Sequence, residues 1–120
     1  MTFQPWEYRS SAGRAGSADL TGYKVHAVDG DIGKIDRASN EVGGSYVVVD
    51  TGPWILGQKV LLPAGVIDRV DTDDRKVYVD RTKDQIKAAP KYEENRVTDP
   101  TYREQFGGYY GGTYGTPGRL

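Results

Sequence analysis

The chain of 120 residues contains no cysteine. That excludes a disulfide framework, a thiolate nucleophile and every Cys-based metal site. Histidine occurs once, at His26, so no second imidazole or thiolate is there to share a metal ion. Charge of one sign is also missing: 16 Lys and Arg stand against 17 Asp and Glu, for a formal net charge of −1. Without a basic excess there is no field to drive sequence-independent nucleic-acid binding. No apolar run approaches membrane-spanning length, and the opening residues lack the apolar core of a secretion signal. The expectation is therefore a cytoplasmic protein with no membrane insertion.

Phosphate-binding and acid–base signatures are absent as well. The glycine-rich stretch from Gly107 to Gly115 follows a predicted helix instead of preceding one, so it is no nucleotide cradle. Asp29-Gly30-Asp31-Ile32-Gly33 does not fit a calcium loop. Gly33 stands at position five, Lys34 where the glycine belongs, and Asn40 at the bidentate position. Asp71, Asp73 and Asp74 cluster, but Arg69, Arg75 and Lys76 flank and neutralise them. No nucleophile–base pair can be named. The expectation is a chain that is not an enzyme, with no catalytic residue, no cofactor and no metal.

What is present is a series of short β segments. The strongest is Tyr46-Val47-Val48-Val49-Asp50, bounded by Gly43-Gly44 and Gly52-Pro53. A run that does not alternate should be covered on both faces. Before it, residues 23–28 alternate, with Tyr23, Val25 and Ala27 on one face and His26 on the other. Asp29-Gly30 supplies a hairpin turn, and residues 32–38 return. After it come residues 60–63, 66–71 and 75–80. Six strands at close spacing predict an all-β fold, a small six-stranded antiparallel barrel. Thr82 and Gln85 form the two ends of a capping box for a short helix that Pro90 ends. A second short helix is expected from Pro100 to Phe106, with Asp99 as its cap and Gly107 as its stop.

The chain divides into an arm and linker (1–19), a barrel domain (20–90) and a C-terminal extension (91–120) with a Tyr/Gly-rich tail. About 70 residues of core bury only about 60% of their unfolded surface. Docked arms or an oligomer would help such a unit. Phe3, Trp6 and Tyr8 precede a Ser/Gly/Ala linker, and either pack back on the domain edge or dock on another subunit. Trp54, Ile55 and Leu56, set between Gly52-Pro53 and Gly57, either plug the barrel or face a partner. Tyr102 and Phe106 share a helix face, while Tyr109, Tyr110 and Tyr114 continue the aromatic series.

Leu20-Thr21-Gly22-Tyr23-Lys24-Val25, Asp29-Gly30-Asp31-Ile32-Gly33-Lys34-Ile35, Tyr46-Val47-Val48-Val49-Asp50, Val60-Leu61-Leu62-Pro63 and the helix of residues 82–90 together resemble a PRC-barrel domain. The resemblance covers about 70 residues and leaves both arms outside. It implies a small barrel of the kind found in the photosynthetic reaction-centre H subunit and the ribosome maturation factor RimM. In those settings the module docks onto larger assemblies and is not known as a catalyst. The Tyr/Gly tail resembles those of stand-alone bacterial members. The resulting expectation is a protein-binding, homo-oligomeric assembly module, an adaptor whose contacts are made by Trp54, Ile55 and Leu56 and by the aromatic arms. The alternative is a ribosome- or RNA-associated factor using Arg9, Arg14, Lys24 and Lys34 on phosphates.

Overall fold

The computed structural model describes residues 5–12, 19–39, 44–52 and 58–113. All six expected strands form: β1 (Lys24–Ala27), β2 (Gly30–Ser39), β3 (Tyr46–Asp50), β4 (Lys59–Pro63), β5 (Ile67–Asp71) and β6 (Lys76–Val79). They make one sheet in the order β4-β3-β2-β1-β6-β5.

Two features correct the expected barrel. The pair β1/β6 is parallel, so the sheet is mixed and not antiparallel throughout. The sheet is also open, since β4 and β5 stand at opposite ends of the order and share no ladder among the described residues. It nevertheless curls. Pro63 and Ile67 are joined through a single 3-10 turn, Ala64–Val66. Four residue steps reach ~14 Å at most, whereas the edges of a flat six-stranded sheet would lie ~24 Å apart. The edge strands therefore converge at that corner, and the molecule is nearly isotropic at 34 × 33 × 31 Å.

The curl encloses a core of Val25, Ala27, Ile32, Ile35, Val47, Val49, Leu62, Val66, Ile67, Val77 and Val79. β3 is buried on both faces, as its unbroken apolar run requires: Tyr46, Val47, Val48 and Val49 are all inside. Gly33 cannot be replaced without movement at the β2–β3 crossing, because its φ is +140° and an added Cβ would overlap the Asp50 carbonyl oxygen.

The first helix, α1 (Lys83–Lys87), carries the predicted capping box. Thr82 Oγ1 accepts the Gln85 amide at 3.1 Å, and the Thr82 amide donates to Gln85 Oε1 at 2.9 Å. The second helix does not stop at Gly107: α2 runs from Pro100 to Thr113. Gly107, Gly108, Gly111 and Gly112 each cost the helix roughly 0.8–1 kcal/mol relative to alanine. Tertiary burial offsets this. Tyr102, Phe106 and Tyr110, spaced four apart, are fully buried, and each such ring contributes about 1.5–3 kcal/mol.

The N-terminal segment docks over the converging corner. Pro5 O accepts the Gly65 amide at 2.8 Å and Trp6 O accepts the Ser45 amide at 3.0 Å. Ser10–Ala12 forms a 3-10 turn with Ala12 buried.

Candidate interaction surface

Three parts of the molecule bear on function: a groove, an outer charged face and the aromatic arms. The groove, about 430 Å³, lies between the start of β2 and the end of β3 and is lined by Asp31, Ile32, Gly33, Lys34, Asp50, Thr51 and Gly52. Its carboxylates are engaged locally. Asp31 Oδ1 accepts the Gly33 amide and Asp50 Oδ1 accepts the Gly52 amide, both at 3.0 Å. Thr51 Oγ1 donates to Gln58 O at 2.7 Å and pins the root of the intervening loop. Trp54, Ile55 and Leu56 belong to that loop and lie outside the described residues, as do Phe3, Tyr114 and Arg14. Among the described residues no three of His, Asp or Glu are grouped to hold a metal ion.

The outer face is written in the register. Lys59 pairs with Asp50, Asp50 with Lys34, Lys34 with Lys24, Lys24 with Lys76, and Lys76 with Asp71. Partners in a ladder point to the same side, so one charged rank crosses the whole sheet with three lysines adjacent at its middle. One row further along, His26 pairs with Asp31 and with Tyr78, and Tyr78 pairs with Arg69. His26 stacks on Tyr78 at 5.4 Å, and the Arg69 guanidinium lies 4.1 Å from the same ring centroid. His26 Nε2 is buried with no hydrogen-bond partner among the described residues. The rank draws on residues up to 52 positions apart, from Lys24 to Lys76. No motif in the sequence announces it.

Among the described residues the rings of the aromatic arms pack on the chain itself. Trp6 meets Tyr46 edge-on at 6.5 Å, and Arg103 places its guanidinium 5.4 Å from the Trp6 ring and 5.9 Å from Tyr46. Tyr8 packs against the core, where burial raises its phenol to about 12. The Tyr102 hydroxyl donates to Lys91 O and accepts the Glu93 amide, both at 2.6 Å. Tyr109 donates to Gln85 O on α1 at 2.5 Å. Tyr102, Phe106 and Tyr110 have almost no accessible surface to offer a partner, while Trp6, Tyr8 and Tyr109 are half-buried.

Beneath this layer Asp80 accepts from both Arg9 of the arm and Arg81. Arg81 is 2% exposed and donates to Tyr110 O at 2.8 Å, near the C-terminal end of α2. A cation there complements the helix dipole. Burial lowers the Arg81 guanidinium from its ordinary value, and Asp80 opposes that shift. Arg9 also binds Gly65 O and Asp68, so this cation of the RNA reading is already occupied. Lys24 and Lys34 are exposed and adjacent.

No family model matches the chain, and no curated protein matches it. Among solved structures it is similar to a Pseudomonas aeruginosa protein described as the 16S ribosomal RNA processing protein RimM. Identity is 24%, the TM-score is 0.48, and the alignment covers 63% of this chain and 49% of that one. The chain spans about half that protein's length.

Proposed function

We propose that the chain is a non-enzymatic protein-binding module that associates with a second copy of itself, with Trp54, Ile55 and Leu56 as its apolar contact. One observation carries the reading. The groove opens at Gly52, the residue that leads into Pro53-Trp54-Ile55-Leu56, and the root of that loop is fixed to the sheet through Thr51 and Gln58. Large apolar residues that follow directly in sequence on such a fixed root have the composition of an interaction hot spot, where a few large side chains supply most of the binding free energy. The aromatic arms have the smaller part in this reading, because most of their rings fill the chain's own core.

The test is sedimentation velocity across a concentration series, on the parent and on Trp54→Ala with Leu56→Ala. The parent is expected to be dimeric or larger, and the double variant monomeric with an unchanged circular dichroism spectrum. A parent that stays monomeric removes the proposal.

RNA association is the second reading, favoured by the adjacency of Lys24 and Lys34. The balanced net charge and the engagement of Arg9 weigh against it.

A further inference from the structure

We propose that the lysine rank and the acidic turn beside it form one self-complementary docking surface for a second copy of this chain. The inference rests on the self-association reading above and names the surface that gives it register and orientation.

Lys34, Lys24 and Lys76 are neighbours across β2, β1 and β6. With strands ~4.8 Å apart the three span ~10 Å. Like charges directly opposite each other in a ladder oppose folding. Some charges elsewhere on the surface are paired: Arg9 with Asp68 and Asp80, Arg37 with Glu94, Lys59 with Asp36, Arg96 with Glu93 and Asp99. Among the described residues none of the three lysines forms such a pair.

The rank ends at Asp71, and the β5–β6 turn that follows holds Asp73 and Asp74. Asp71 Oδ1 accepts the amides of both, each at 3.0 Å, which fixes where the two exposed carboxylates stand. Asp71, Asp73 and Asp74 form no ion pair among the described residues either. The outer face thus carries three adjacent lysines and, beside them, three carboxylates, and among the described residues none of the six forms an ion pair. A two-fold axis between the halves sets each acidic turn against the other copy's lysines, the isologous arrangement of most dimers. Charge complementarity of this kind fixes register and speeds encounter.

A nucleic acid suits the surface less well. Its phosphates would continue past the lysines onto Asp50 at one end and Asp71, Asp73 and Asp74 at the other.

The experiment is charge-reversal complementation in the full chain. Lys24→Glu with Lys34→Glu makes one variant, and Asp73→Lys with Asp74→Lys makes the other. All four positions are exposed, and circular dichroism confirms that the fold is kept. Each variant alone is expected to lose association at least tenfold at low salt by sedimentation velocity, and an equimolar mixture of the two to regain it as a heterodimer. Raised salt should weaken the parent dimer.

Variants that associate as the parent does, or a mixture that stays monomeric, overturn the surface. If in addition only Trp54→Ala with Leu56→Ala dissociates the parent, the loop reading stands and this inference alone fails. A monomeric parent ends both. Binding of a single-stranded RNA oligonucleotide that is lost in the lysine variant, with no complementation, assigns the rank to nucleic acid and overturns the proposal.

Discussion

β3 and α2 both bury apolar side chains, yet they are held by different means. β3 places four consecutive apolar side chains inside and is bonded along both edges, to β2 and to β4. α2 has 14 residues, four of them glycine, and rests on three rings with polar ties to Arg81, α1 and the segment before it. Gly107 brings the helix against Pro5 and Trp6, so an added Cβ would stand 3.2 Å from Pro5 Cγ. Arm and helix form one outer layer over the sheet. The sheet's stability is built into local propensity and ladder pairing, whereas the outer layer's comes from tertiary contact alone. Segments of the second kind open at lower free energy than the global transition.

The largest effect should come from the sheet. Gly33→Ala forces a side chain into the β2–β3 crossing at φ +140°. Overpacking and backbone strain together should cost roughly 3–5 kcal/mol. Urea denaturation should show one cooperative transition at a lower midpoint. A change below ~1 kcal/mol would mean that this crossing is not tight.

Asp80→Ala attacks the outer layer. Arg81 would remain buried against Tyr110 O without its carboxylate, and Arg9 would lose its tie to the sheet. Breaking a buried pair costs about 3–5 kcal/mol, and Asp80, whose side chain is 26% exposed, should fall at or below the lower limit. Hydrogen exchange should locate the loss in α2 and the arm and leave β3 protected. Equal loosening of β3 would abolish the distinction between the two regions.

Alkali should separate the regions without mutation. Burial raises the Tyr8 phenol to about 12 and moves Tyr110 upward as well. In the unfolded chain both ionise near 10. Below that pH folded and unfolded states hold the same protons, and the tyrosines' contribution is complete. Above it the unfolded chain releases protons that the folded chain keeps, so stability falls as pH climbs from about 10 to about 12. Both tyrosines sit in the outer layer, so near-UV circular dichroism should report its release while far-UV strand signal persists. Tyr8→Phe should move that release to higher pH.

The same division decides what could be read from the amino acids. The six strands, the hairpin between β1 and β2 (its turn is Val28-Asp29, with Gly30 already in β2) and the Thr82–Gln85 box were legible because each is encoded within a few residues. The parallel β1/β6 contact, the open edge between β4 and β5 and the rank Lys34, Lys24, Lys76 were not, because register between distant strands leaves no local mark. Gly107 reads as a helix stop by propensity, and it is helical here because Phe106 and Tyr110 on either side are buried. The arm's rings read as packing on the domain edge or as contacts for a partner, and the bonds of Ser45 and Gly65 to the Trp6 and Pro5 carbonyls, with the Trp6–Tyr46 contact, show that Trp6 packs at home.

The smallest effect tests whether arm and helix move together. Gly108 faces open space, with nothing within 4 Å of an added Cβ. Gly108→Ala should therefore strengthen α2 by about 1 kcal/mol without touching the arm. If the arm's docking depends on the helix, the amides of Ser45 and Gly65, which donate to Trp6 O and Pro5 O, should exchange several-fold more slowly in the variant. The linkage is reciprocal: whatever α2 gains from the arm, the arm gains from α2. Slower exchange within α2 alone, with Ser45 and Gly65 unchanged, would show two independent coverings of the sheet instead of one.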